Sequence, residues 1–279
     1  MNRVELHHGA ATHVGLVREH NEDAFLASPP VFAVADGMGG HDRGDIASAF
    51  AIEELARLAH DDYDLDHGTV AVDAALQCAQ DRLLAYDEEQ RAAGAGDSFA
   101  AGTTVVLALL VHSADRPHWL LANVGDSRVY RFNDDALEQV SVDHSLVQEM
   151  VDAGRLAPEA AAGHPDRNVV TRALGGAAMP TAVSGAADYY LLPLAAAERL
   201  LLCSDGVSGM VDDVTIASIL AQHDDPRDAA DALIAAAVTA GGHDNATAVV
   251  VDVVGLTTVD PYDSRAQRLS LEQKLGALP

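Results

Sequence analysis

Apolar runs bounded by an aspartate are what most constrain this chain. Asp36 closes one in VFAVADGMGG, Asp205 another in RLLLCSDGVSGM, Asp244 bounds a third in GGHDNATAVVV, and Asp126 follows a fourth in LLANVGDSRVYRF. Carboxylates set at the ends of buried strands that are distant in sequence can converge into one anionic cluster. Such a cluster ionises fully only when something cationic neutralises it. Arginine and lysine are too scarce to do so: 43 acidic residues face 17 basic ones, Lys274 is the one lysine, and the formal charge is −26. The pattern therefore suggests a pair of metal ions.

The same imbalance argues against nucleic-acid binding, which needs a basic patch. Elsewhere the excess charge gives a solvated, self-repelling surface. Cys78 and Cys203 lie in apolar runs with no C-x-x-C pairing, which reads as two small core residues in a reducing cytoplasm. No stretch approaches the roughly 20 apolar residues of a membrane helix. The start, MNRVELHHG, lacks the apolar segment of a secretion signal. A length of 279 residues, 49% of them apolar, is compatible with one substantial core.

Strand-like runs come first, at Val4–His8, Ala24–Ala27 and Val31–Ala35, the last running into a glycine-rich turn at 36–40. Helical spacing over Asp45–Ala59 and Val70–Ala93 follows. Thr103–Val111, His118–Val124, Arg128–Phe132 and Leu137–Val142 then read as a meander, with Gly125-Asp126-Ser127 as a tight connection. Residues 143–180 interrupt that pattern as an inserted flap, whose helix would start on Ser145 as cap with Gln148 as its reciprocal partner. Strands at Thr181–Leu192 and Arg199–Cys203, helices at Val214–Gln222 and Pro226–Ala240, and a last strand at Ala246–Val254 complete a domain expected over 1–254. The polar tail, 255–279, with a short helix around Ser270–Leu275, has no assigned role. Few strand-helix-strand alternations favour sheets packed on each other with helices outside.

Asp36-Gly37 and Asp205-Gly206 both lead toward helices, so neither joins two strands as a hairpin turn would. Gly125-Asp126-Ser127 does sit between strands, and a plain turn explains it as well as a functional role does. Carboxylates, a glycine carbonyl and water make a hard-oxygen site suited to Mg²⁺ or Mn²⁺. Two such ions about 3.5–4 Å apart can share and acidify a water. Arg18, beside Asn21-Glu22-Asp23, offers a planar fork for a tetrahedral anion such as phosphate.

Eight blocks follow one another along the chain: GLVREHNED (15–23), VADGMGGH (34–41), AGTT (101–104), NVGDSRVYR (123–131), DHSLV (143–147), NVVTRALG (168–175), CSDGVS (203–208) and HDNAT (243–247). In this order the chain resembles the bacterial type 2C, metal-dependent protein serine/threonine phosphatases, over about residues 4–254. The resemblance implies an α+β fold, a four-layer αββα sandwich of two antiparallel sheets flanked by helices. It implies two tight Mn²⁺ or Mg²⁺ ions, with Asp36 bridging them, the Gly37 carbonyl on one, and Asp205 and Asp244 on the other. Asp23 and Glu22 would act at or just beyond the ions, partly through water, Arg18 would bind the substrate phosphate, and Asp126 would hold a weaker third ion.

The implied reaction is hydrolysis of phosphoserine or phosphothreonine by direct attack of a water bridging the ions, opposing bacterial serine/threonine kinases. Met38 stands where eukaryotic relatives carry a histidine discussed as the general acid, which leaves that role unassigned; His41, His144 and His243 read as structural. No phosphoenzyme is expected, because neither cysteine opens a C-x5-R loop: the sixth positions on are Leu84 and Gly209. A nucleotide-binding reading of 37–40 fails, since Asp42 takes the last glycine of G-x-G-x-x-G and no G-K-S/T follows. A non-catalytic phosphoprotein-binding scaffold would be expected to lack a metal ligand, whereas a phosphatase of small phosphoesters would keep the same chemistry.

Overall fold

Three apolar layers hold the protein together, and period-two alternation along its strands decides which side chain joins which layer. The computed structural model describes residues 3–38, 43–96, 98–113, 116–175 and 187–257. Among these the strands are β1 (Arg3–His13), β2 (Asp23–Ser28), β3 (Val31–Met38), β4 (Tyr63–Asp64), β5 (Gly102–Thr103), β6 (Val105–Ser113), β7 (Arg116–Val124), β8 (Arg128–Asn133), β9 (Ala136–Gln139), β10 (Leu174–Gly175), β11 (Asp188–Pro193), β12 (Arg199–Cys203) and β13 (Ala246–Thr257). The helices are α1 (Gly44–Leu55), α2 (Leu65–Ala92), α3 (Leu146–Asp152), α4 (Pro158–Ala161), α5 (Asp205–Ser208), α6 (Asp213–Gln222) and α7 (Pro226–Thr239).

One sheet runs β1-β13-β12-β8-β9 and the other β10-β5-β3-β6-β7-β11, with β2 on β3 and β4 on β6. All pairings are antiparallel except the short β4–β6 contact. In β3, Val31, Ala33 and Ala35 pack under α1 and α2, while Phe32 and Val34 face the opposite sheet. In β13, Ala248 and Val250 pack under α6 and α7, while Val249 and Val251 face inward between the sheets. Both faces of the central strands are thus covered, which is why they read as continuous apolar runs. The result is the expected αββα sandwich.

Helix ends follow local chemistry. Asp64, Asp212 and Asp225 each accept a backbone N–H of the following first turn, and Pro226 opens α7 where no N–H is needed. α2 begins at Leu65, ahead of the expected Val70, because Asp64 supplies the cap. Ser145 caps α3 through the Gln148 N–H at 3.3 Å, but the Gln148 side chain turns to Asp152 instead of back to Ser145, so the reciprocal half of the box does not form.

The expected meander is a second departure. β7 and β8 belong to opposite sheets, so Gly125-Asp126-Ser127 crosses from one layer to the other and is no hairpin. The strand expected over Leu137–Val142 stops at Gln139, because Val140 and Ser141 both direct their N–H groups to the Val129 carbonyl and break the ladder. At the other end of the chain β13 reaches Thr257, beyond the expected Val254, by pairing with Arg3. The expected helix at 270–275 and the first residues of the strand expected over Thr181–Leu192 lie outside the described residues, and of the two cysteines expected in the core Cys203 is buried whereas Cys78, on α2, is exposed. No described helix is long and apolar enough to cross a membrane.

Candidate metal centre

The ends of β3, β12 and β13 and the β7–β8 crossing open on one side of the sandwich, and each carries one of the aspartates. Asp36 and Gly37 end β3, Asp205 opens α5 directly after β12, Asp244 precedes β13, and Asp126 lies on the crossing. Together with Arg18, Glu22, Met38, Asn168 and Val170 they line a cavity of about 260 Å³. Asp23 pairs in register with Asp36 on β2 and lies outside that lining. Among the described residues no histidine lines the cavity; His144 and His243 lie elsewhere, and His41 is outside the described residues.

Backbone contact explains the glycine after Asp36. Gly37 donates its N–H to the Glu22 carbonyl at 3.1 Å, and a Cβ here would collide with the carbonyls of Glu22 and Gly44. Two threonines of the AGTT block fix the strand end: Thr104 Oγ1 accepts the Asp36 N–H at 3.2 Å and Thr103 Oγ1 donates to the Asp36 carbonyl at 2.9 Å. Thr104 Oγ1 also lies 2.7 Å from Ser127 Oγ, tying Asp36 to the turn that bears Asp126. Ser204 Oγ donates to Asp23 Oδ2 at 2.8 Å, while Asp23 Oδ1 is buried with no partner.

Crowding of like charge sets the electrostatics. Burial, reinforced by Asp23, Asp205, Asp126 and Asp244, pushes the Asp36 carboxyl well above the usual carboxylate range. Burial and Asp205 push Asp126 up to about 8, and burial pushes Asp23 up to about 7 against the hydroxyls of Thr247 and Ser204. Asp205 is raised by burial and Asp244, and Glu22 chiefly by burial. Among the described residues Asp244 alone of these acids has an arginine in an ion pair, Arg18 Nη2 to Oδ2 at 2.8 Å. That bond uses one donor of the guanidinium fork, and Arg18, which lines the cavity, has others besides.

An anionic, hard-oxygen lining fits divalent cations, and Asp23, paired with Asp36 just outside that lining, keeps an orphaned buried carboxylate oxygen. Among the described residues no group of three His, Cys, Asp or Glu side chains is already drawn into a metal-holding arrangement; the carboxylates stand around the cavity wall. Asn245 escapes a reading of the sequence that looks for charged ligands. Its Oδ1 accepts the Glu22 N–H at 2.8 Å, and its Nδ2 donates to the Val14 and His20 carbonyls at 2.9 Å each, which ties down the loop carrying Arg18. Asn168 and Val170 on the flap are also unforeseen as lining residues.

A family profile described as protein phosphatase 2C matches residues 16–235. The serine/threonine protein phosphatase PstP of Mycobacterium tuberculosis is 39% identical over 249 residues, 89% of this chain and 45% of that protein. The chain thus spans about half the length of the first curated relatives it matches. The serine/threonine phosphatase stp of Listeria innocua is 33% identical over 257 residues, 88% of this chain and 96% of that protein. Among solved structures, the M. tuberculosis serine/threonine phosphatase PstP/Ppp aligns with a TM-score of 0.80 at 36% identity, covering 91% of this chain and 100% of the other. The catalytic domain of PstP in complex with two manganese ions gives 0.76 at 35% identity with the same coverages.

Proposed function

The chain belongs to the protein phosphatase 2C family, and on that premise we propose that it is a metal-dependent hydrolase of phosphoserine and phosphothreonine in proteins. The observation that carries this reading is the single cavity in which Arg18, Asp36, Gly37, Asp126, Asp205 and Asp244 meet. Asp36, the Gly37 carbonyl, Asp205 and Asp244 would hold two divalent ions, with Asp126 and Asp205 at a weaker third. Glu22 and Asp23 would act through water. Mn²⁺ is the preferred ion, on the strength of the manganese complex of the similar phosphatase, with Mg²⁺ as the alternative. Such ions, when bound, supply Lewis acidity to the phosphoryl oxygens and lower the pKa of water for in-line attack on phosphorus.

The residues of the chain do the positioning. Arg18 stays charged at every relevant pH, and its remaining N–H groups can hold two phosphoryl oxygens while Asp244 fixes its direction. Asp36 is held from its backbone by Thr103 and Thr104, so its carboxylate is aimed before substrate arrives. Met38 reaches the same cavity with no proton to give, and the leaving alcohol must be protonated from elsewhere. The catalytic domain is proposed over 1–254. Its substrates would be the phosphoproteins made by serine/threonine kinases, and its setting the cytoplasm.

The test is initial rates on a phosphothreonine peptide and on a small phosphoester, with Mn²⁺ or EDTA. Hydrolysis of the peptide that EDTA abolishes is expected, at a higher kcat/KM than the small ester. Peptide hydrolysis that survives EDTA, or a preference for the small ester, overturns the proposal.

A further inference from the structure

His144 sits where the chain leaves the strand layers for the flap, and only 5% of its surface is exposed. Its Nδ1 accepts the Gly125 N–H at 3.1 Å, so the ring proton belongs on Nε2, 3.1 Å from the Asp188 Oδ2 that accepts it. Arg172 Nη1 lies 3.2 Å from the same Nε2, but two donors cannot bond, and that guanidinium instead donates to Asp188 Oδ1 at 3.2 Å. The main chain of His144 repeats the grip. Its N–H donates to the Gly125 carbonyl at 2.9 Å, and its own carbonyl accepts the Thr171 N–H at 2.8 Å.

One residue therefore holds both polar groups of Gly125, whose successor is Asp126. Gly125 has a φ of 114° and a Cβ there would collide with the Thr104 side chain, so only glycine fits this turn; Asn123 Nδ2 also donates to its carbonyl, at 3.2 Å, whereas the one side-chain acceptor for its N–H is His144. The same residue stands at the start of the flap and holds Thr171 further along it. We propose that His144 is a positioning residue that fixes the Asp126 carboxylate through the Gly125 peptide and couples it to the base of the flap. The proposal rests on the phosphatase reading for its consequence and on the hydrogen bonds alone for its geometry.

Two near-isosteric variants separate positioning from packing. Asn places its Oδ1 where Nδ1 stood and keeps the acceptor for Gly125; Gln places its amide near Nε2 and keeps the donor to Asp188. In His144→Gln the Gly125 amide should lose about tenfold in hydrogen-exchange protection, and the weakest class of Mn²⁺ in a calorimetric titration should weaken by a similar factor. In His144→Asn both should stay within about twofold of the natural protein, although the Asp188 bond is gone. Losses that are equal in the two variants and track their melting temperatures would mean a packing role, and would overturn the proposal, as would full Gly125 protection in His144→Gln. A natural protein that hydrolyses no phosphopeptide would sink the phosphatase reading, while the exchange pattern at Gly125 would still decide the role of His144.

Discussion

Asn245→Ala tests whether the loop carrying Arg18 is held by one amide. The substitution removes three side-chain hydrogen bonds, of 2.8, 2.9 and 2.9 Å, from a buried residue. At about 1 kcal/mol net each, the full loss is about 3 kcal/mol. The His20 carbonyl belongs to an exposed residue and Val14 to a half-buried one, so water recovers part, leaving about 2 kcal/mol. For a domain of this size that lowers Tm by roughly 4–8 °C. Leu16 N–H to Gly242 O and Gly37 N–H to Glu22 O persist, so the loop stays attached and Arg18 loses alignment more than place. KM for a phosphothreonine peptide at saturating Mn²⁺ should then rise by about five- to tenfold, kcat changing less. Asn245→Asp keeps the acceptor for Glu22 but turns both donated bonds into carboxylate–carbonyl repulsion beside Asp244, and should raise KM at least as far. Unchanged KM in Asn245→Ala with the full fall in Tm, or a natural KM in Asn245→Asp, would refute the loop-anchor reasoning.

Asp36→Asn or Asp205→Asn should remove nearly all Mn²⁺-dependent hydrolysis, about 10³-fold or more, and retention of a tenth of the natural rate would contradict a shared two-ion site. Arg18→Ala should raise KM by about ten- to a hundredfold through loss of charged hydrogen bonds, checked by initial rates at unchanged Tm. Asp126→Ala should slow turnover while two tight Mn²⁺ ions still bind in a calorimetric titration; loss of both would exclude a separate third site. The folded protein holds protons on Asp23 up to about pH 7 and on Asp126 up to about pH 8, above the 3.8 of a free carboxyl. It therefore binds more protons than the unfolded chain between those values, and these two groups stabilise it fully below about pH 4 and lose that contribution as pH rises through 7–8. In EDTA the Tm should fall between about pH 5 and 8, and excess Mn²⁺ should remove the fall; a Tm in EDTA that stays level or rises across that range would show that these carboxyls are not raised.

Sequence reveals a residue's role best where the role is written in the residue's own neighbourhood, and this chain shows the boundary. Asp36, Asp205 and Asp244 stand out because each bounds a run that is apolar on both faces, a signature of strands buried between a helix layer and a second sheet. Asp126 has a run of the same kind before it, yet its role stays open in sequence, because period two cannot say which of two sheets the next strand joins. Only the pairing of β7 with β6 and of β8 with β12 turns Gly125-Asp126-Ser127 from a hairpin into a crossing between layers. Asn245 and His144 are harder still. Both act through backbone groups more than a hundred or nearly twenty positions away in the chain, Val14 and His20 for one and Gly125 for the other, and a neutral side chain that holds a main-chain carbonyl or N–H leaves no mark in composition, charge or spacing. The acids of the cavity can be found by asking what is missing, enough bases to pair with them all. The residues that hold those acids in place are fully satisfied, so the same question passes over them.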